Sequence, residues 1–402
     1  MSCSHYSVFM KMKKLFFYLL LLVFLSAAGC AKKNASVYYS NGVKLDSICT
    51  VEAHTLNDSS IWRFPLQMEC TDSLLVILDY MDDCYFHVYT LSGNPKGKFA
   101  RKGKGPGELL SANQFHLSLG KDTLYVYDGV SRKLVAYNLD TNLERDRSFT
   151  EYKMDYSILP PSEIPFIIYD LLPLGGNLFL LKANQPKLRY GCIDLATKQI
   201  TSVYKDFPSE HVTGNAEEIW SIFSSDTRTF FKPDYTRMFN ATYIGGILEL
   251  FSVGSDWKLA MDTTLCIYEP VYGLAEGAVP AFVVGNEKTQ LGFEDAYAGD
   301  EFVYALLHEE GDAMEPESVI VFDWQGNAVK EIRTGQRLAR FCVDETHNVI
   351  YALALDEENG YKLVQLTVWN MLWSLREKTG ENWRKCWNII VMTALNFVQH
   401  VS

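Results

Sequence analysis

Short runs of six to eight residues, dense in aromatic and β-branched side chains, recur along this chain between clusters of turn residues. Six of them align as first runs: SLLVILD (73–79), TLYVYD (123–128), NLFLLK (177–182), TRMFNATY (236–243), EFVYALLH (301–308) and NVIYALAL (348–355). A second run follows each: FHVYTL (86–91), LVAYNL (134–139), YGCIDL (190–195), ILELFSV (247–253), VIVFDW (319–324) and LVQLTV (363–368). With Leu75, Leu124, Leu178, Met238, Val303 and Ile350 as equivalent points, the steps are 49, 54, 60, 65 and 47 residues. A weaker apolar run precedes each pair: FPLQME (64–69), FHLSL (115–119), IIYDLL (167–172), IWSIF (219–223), FEDAYA (293–298) and LARFCV (338–343). A fourth follows most of them. Such composition, punctuated by Gly, Asn and Asp turns, predicts strands. Four antiparallel strands repeated six times at this period predict an all-β fold, a six-bladed β-propeller over residues 43–368. Two stacked sandwiches are the competing arrangement; continuous helical periodicity is missing between residues 40 and 365, which argues against an α/β fold.

Closure of the ring carries its own expectation. The sixth unit ends at its third strand near Val368, while VKLDSICTVEAH (43–54) stands unpaired before the first. That N-terminal segment is expected to supply the outer strand of the last blade, leaving few free edges. Parity then assigns the loops to faces. In an antiparallel blade, the turn between strands two and three and the passage to the next blade emerge on one side. The stretches 102–113, 151–166, 208–218 and 269–292 therefore share a face with the tips DYMDD (79–83), HEEGDAMEPE (308–317) and LDEENG (355–360). Propeller ligands usually sit on one face around the channel, so this loop face is where a site is expected.

The two ends read differently from the repeats. Lys11, Lys13 and Lys14 precede the apolar run from Leu15 to Leu25, and Ser26, Ala27, Ala28 and Gly29 lead into Cys30. A basic start, a short apolar core and a small-residue exit describe a cleaved export signal rather than a spanning helix. A cysteine after such an exit resembles the bacterial lipobox, although Ala27 stands where leucine is usual. An ordinary signal peptide with a chance cysteine is the plainer reading. The chain thus divides into a signal at 1–29, a lipid attachment site at Cys30 opening an anchor linker at 30–42, the propeller at 43–368, and a tail at 369–402. That non-propeller C-terminal tail holds Trp369, Trp373, Trp383 and Trp387, half of the eight tryptophans. A docking or membrane-surface helix, a segment folded on the propeller, and an aberrant terminus are all compatible with it.

Charge narrows the functional classes. Loss of a leader with three lysines and no acid leaves 34 basic and 49 acidic residues, a net −15. No nucleic-acid partner is expected, because phosphate binding needs clustered Lys and Arg. Cys49, Cys70, Cys84, Cys192, Cys266, Cys342 and Cys386 show no CxxC spacing, so no zinc site is expected. The histidines show no HxxxH pair and no GxSxG elbow occurs, which points away from an enzyme and leaves the catalytic set empty. The loop face is acid-rich. Asp82, Asp83, Glu309 and Glu310 there suit a basic protein segment or, weakly, Ca²⁺; equally, hydrated turns carry charge for solubility. No other cofactor is expected. Arg101, Lys102, Gly103, Lys104, Gly105, Pro106, Gly107 and Glu108 form a glycine-rich turn with three cations. Exposed N–H groups beside Arg101, Lys102 and Lys104 could cradle an anion, with Glu108 a further candidate. The structural alternative is a tight passage between blades in which glycine supplies positive φ.

The lipobox-like start, the unit ILDYMDDCYFHVYTLSG and above all RKGKGPGEL (101–109) resemble the TolB-like six-bladed propeller lipoproteins of Bacteroides-type bacteria, over roughly residues 12–367. The resemblance implies fold and location and leaves activity open. A binding or scaffold module in the cell envelope is the expected function, anchored in the membrane and facing the periplasm, with an envelope protein or glycan as partner. A carbohydrate- or lactone-acting hydrolase or lyase, with or without a metal, is the alternative.

Overall fold

The computed structural model describes residues 38–40, 43–45, 47–140, 148–159, 167–185, 187–208, 216–274, 283–312, 314–356 and 360–368. Cys30 and the tail at 369–402 lie outside them. Among the described residues six blade sheets follow one another along the chain, each built on four antiparallel strands and each beginning with its innermost strand. Blade one runs Pro65–Cys70, Leu74–Asp79, Cys84–Thr90 and Pro95–Arg101. Blade two comprises Phe115–Leu117, Thr123–Asp128, Lys133–Asn138 and Phe149–Lys153. Blade three comprises Ile168–Gly175, Leu178–Gln185, Leu188–Asp194 and Gln199–Tyr204. Blade four comprises Thr227–Phe231, Arg237–Thr242, Ile247–Val253 and Leu259–Cys266. Blade five comprises Phe293–Ala298, Phe302–Leu307, Ser318–Asp323 and Ala328–Arg333. Leu338–Asp344, Val349–Asp356 and Gly360–Thr367 are the three strands that blade six draws from its own stretch of chain.

The closing strand is present, displaced from its expected position. Ala53–Asn57 completes blade six, pairing antiparallel with its third strand (Ala53 with Leu366, Thr55 with Val364). The preceding Ser47–Thr50 lies instead along the outer edge of blade five, parallel to Ala328–Arg333. One N-terminal segment therefore clasps the last two blades. The apolar clusters complete the ring. Separate clusters join blades one and two, two and three, three and four, and four and five. A further one binds blades five and six back to blade one through Met68, Tyr89, Tyr304, Phe341 and Leu353. Burial at about 25 cal/mol per Å² of apolar surface acts at every seam. The free thiols of Cys70 and Cys342 are buried in the closing seam.

One sequence expectation is corrected. IWSIF was expected to be the inner strand of blade four, but Ala216–Ser224 is an α-helix, and the strand is Thr227–Phe231. Ile219, Ile222 and Phe223 recur at helical spacing, and Ile222 and Phe223 pack on Ile247. A short apolar run cannot distinguish the two states by periodicity.

Candidate functional site

All six inner strands start on the loop face, and around their starts opens an axial cavity of about 590 Å³. Blade one contributes Leu66, blade four Arg228, blade five Glu294 and blade six Arg340. The strands put them there because successive side chains alternate between the two sides of a blade, and a polar residue near the start of each innermost strand ends up on the channel. Every blade has one: Gln67, His116, Asp170, Arg228, Asp295 and Arg340.

These groups are tied together across the ring. Arg228 Nε donates to Asp295 Oδ1 at 2.9 Å and its Nη2 to the Leu66 carbonyl at 2.8 Å. Arg340 Nε donates to the same carbonyl at 2.7 Å and its Nη1 to Glu294 Oε1. Glu294 also receives His308, whose Nε2 lies 3.1 Å from Oε2. Burial alone would raise the Glu294 carboxyl, yet the His308 hydrogen bond and the Arg340 guanidinium hold it down to about 2. Deeper in the channel, His116 Nε2 lies 2.7 Å from Asp170 Oδ2. Lys182 donates to Thr229 Oγ1 at 3.0 Å and to Thr227, and burial lowers its ammonium to about 8.

The opposite mouth is smaller, a cavity of about 130 Å³ bordered by Glu69, His116, Phe230 and Tyr297. Burial pushes the Glu69 carboxyl up to about 7, against a 3.3 Å hydrogen bond from Gln67. An acid raised in the folded state binds its proton more tightly there than in the unfolded chain, so its contribution weakens as pH climbs from about 4.5 to 7. Glu69→Gln is therefore expected to leave stability unchanged near pH 4 and to raise it by about 1–2 kcal/mol at pH 8, a figure reduced for the partial exposure of this side chain. Urea unfolding at the two pH values measures the difference.

Two side basins extend the axial cavity across the loop face. One of about 450 Å³ between blades one, two and three shares Asn113 and Gln114 with it; one of about 210 Å³ beside the helix shares Ser225, Asp226 and Tyr243. Of the ten large apolar side chains exposed among the described residues, seven stand on this face, including Phe64, Met81, Val130 and Met314.

The residues singled out from sequence fall around this opening rather than in it. Asp82 is paired with Lys98 (2.5 Å) and lies 2.8 Å from His87 Nε2, while the Asp83 carbonyl accepts from Lys102 N–H. Glu309 and Glu310 are exposed on the tip whose neighbours His308 and Glu315 line the cavity. In the glycine-rich turn the N–H groups point inward: Gly103 donates to the Leu109 carbonyl, Gly105 to Glu108 Oε2 at 2.7 Å and Gly107 to Glu151 Oε1 at 2.9 Å. Glu108 thus occupies the cradle its own glycines make. A Cβ at Gly103 would lie 2.0 Å from that carboxylate, and Gly107 holds φ +70° against the Phe149 ring. Lys102 donates to the Tyr80 carbonyl and stands over the Tyr80 and Tyr85 rings; Arg101 and Lys104 are exposed. Among the described residues no group of His, Cys, Asp and Glu is arranged to hold a metal ion.

A family model for TolB-like 6-blade propeller-like proteins matches residues 44–346. The chain belongs to that family. No curated protein sequence matches this TolB-like propeller. Among solved structures, it is similar to a protein described as exported from Bacteroides fragilis, at 12% identity and TM-score 0.49, covering 80% of this chain and 99% of the other. A DUF4221-family member from Bacteroides vulgatus aligns at 11% identity and TM-score 0.47, covering 79% and 95%. The propeller domain of Cps50 (Swd1) from Myceliophthora thermophila aligns at 10% identity and TM-score 0.46, covering 79% and 99%.

Proposed function

We propose that this TolB-like propeller is a lipid-anchored binding module of the cell envelope, tethered through Cys30 in the outer membrane, facing the periplasm, and receiving a partner on its loop face. The observation that carries the reading is the axial cavity: it lies on the face holding most of the exposed apolar side chains, and its walls come from several blades, so a ligand seated there touches the ring as a whole. The arginines of the cavity are held in fixed poses by carboxylates and a carbonyl. Fixed poses suit recognition, since little side-chain entropy remains to be lost on binding. The acyl anchor supplies the location, and the linker at 30–42 holds the propeller off the bilayer.

A photo-crosslinking residue at Asn113, exposed on the loop face, should capture one discrete envelope protein in intact cells, whereas the same residue at Leu119 on the opposite face should capture none. Equal capture from both faces, or from neither, would overturn the reading. Cys30→Ser should abolish palmitate labelling and release the protein from the membrane fraction; an unchanged membrane fraction would remove the anchor from the account.

A further inference from the structure

We infer that the axial mouth binds a protein segment that presents a cationic side chain between apolar neighbours, the cation seated against Asp226 and Glu315. This deepens the proposed function and rests on its assignment of the loop face.

The charges already present in the cavity decide the sign. Arg228 is matched by Asp295, and Arg340 by Glu294, which His308 also meets. Two lining carboxylates are left over. Asp226 and Glu315 make no side-chain hydrogen bond or ion pair among the described residues. Burial raises the Asp226 carboxyl, against the fields of Arg228, Arg340 and Lys182. The lining carries three carboxyl groups, Asp226, Glu294 and Glu315, against the two guanidinium groups, an acidic excess.

The neutral groups tell the same story independently. His308 is 1% exposed, with a carboxylate at Nε2. A carboxylate accepts only, so Nε2 carries a proton, and in the neutral ring Nδ1 is left as an acceptor. That Nδ1 is buried with no partner. Gln114 donates through Nε2 to the Thr227 carbonyl at 2.9 Å, and its Oε1 is likewise buried and unpartnered. Buried polar atoms are normally satisfied. Two buried acceptors and two open carboxylates at one cavity call for a ligand that brings N–H donors and positive charge.

Aromatic faces and an apolar rim define the rest of the ligand. Tyr243, Tyr361 and Phe64 line the same cavity, and a cation over such rings gains about 0.5–2 kcal/mol. Phe64 is 52% exposed at the mouth, and Met81, Val130 and Met314 stand exposed on the surrounding loops. A lone sugar or free amine would leave that rim uncovered, whereas a peptide with apolar residues beside its cation covers it.

The test is a synthetic peptide library with a fixed central lysine between randomised apolar positions, passed over the full-length protein. Retention is expected, and about tenfold or greater loss on Nε-acetylation of the lysine. Asp226→Asn and Glu315→Gln should each weaken the retained peptide about tenfold without lowering the thermal midpoint. Glu309→Gln, on the exposed rim, should change affinity less than about twofold. Retention indifferent to acetylation, no retention, or preference for a chito-oligosaccharide would overturn the inference. If Asn113 still captures an envelope protein in that event, the loop face stands and only the ligand class is wrong; loss of both would remove the binding face itself.

Discussion

Replacing Glu249 by alanine is expected to cost about 3–5 kcal/mol of stability, because it strands a buried guanidinium. Glu249 and Arg189 are both fully buried, on the third strands of blades four and three, and form a two-point ion pair with Nη1 at 2.8 Å from Oε1. Asn240 Nδ2 donates to Glu249 Oε2 at 2.9 Å, and Arg189 also reaches the Asp206 carbonyl at 3.0 Å. The guanidinium stacks on Phe207 at 4.5 Å. Without the carboxylate, the charge remains among these rings with one carbonyl to compensate it. The double change Arg189→Met with Glu249→Leu removes both charges at similar volume and is expected to recover most of the loss. Urea denaturation of the single and double variants separates the two outcomes. A single variant within about 1 kcal/mol of the parent would show that the pair is hydrated.

Removing the clasp should have a comparably large effect. A chain beginning at residue 58 loses the outer strand of blade six and the parallel strand on blade five together. At about 0.5–1.5 kcal/mol net per ladder hydrogen bond, the loss is on the order of 5 kcal/mol. It also bares two strand edges, which invites association. The truncated protein is therefore expected to melt well below the parent and to form oligomers. A peptide spanning 43–57, added in trans, should restore both properties. Unchanged melting would mean that the apolar seam alone closes the ring.

Much of this architecture was written in the chain. The first and second runs of each unit are the two middle strands of each blade, buried on both faces, so their composition is unmistakably β. The loop face followed from parity alone, and the axial cavity opens there. The closing strand was legible in kind, but VKLDSICTVEAH reads as one alternating segment. Nothing in its pattern marks Val51 and Glu52 as the break between the strand on blade five and the strand on blade six.

The inner strands were harder to read for a physical reason. They line a polar channel, so TRTFF looks less strand-like than the amphipathic helix just before it. The site residues were inside quoted runs, Glu294 and Asp295 in FEDAYA and Arg340 in LARFCV, and read as ordinary alternation. A signal did exist: each inner run carries a polar residue near its start, at Gln67, His116, Asp170, Arg228, Asp295 and Arg340. Exposed acids on the tips drew attention instead, since turns advertise charge and channels conceal it. Glu309 and Glu310 are such acids, one and two positions beyond the buried His308. RKGKGPGEL was distinctive enough to mark the family, and its geometry has Glu108 filling the glycine cradle.

The most direct measurement is a structure of this TolB-like propeller with the envelope partner captured at Asn113. The account predicts partner density inside the mouth bounded by Arg228, Tyr243, His308 and Arg340. Density at the opposite mouth, against Glu69, Phe230 and Tyr297, or on the outer edges of the blades, would contradict it.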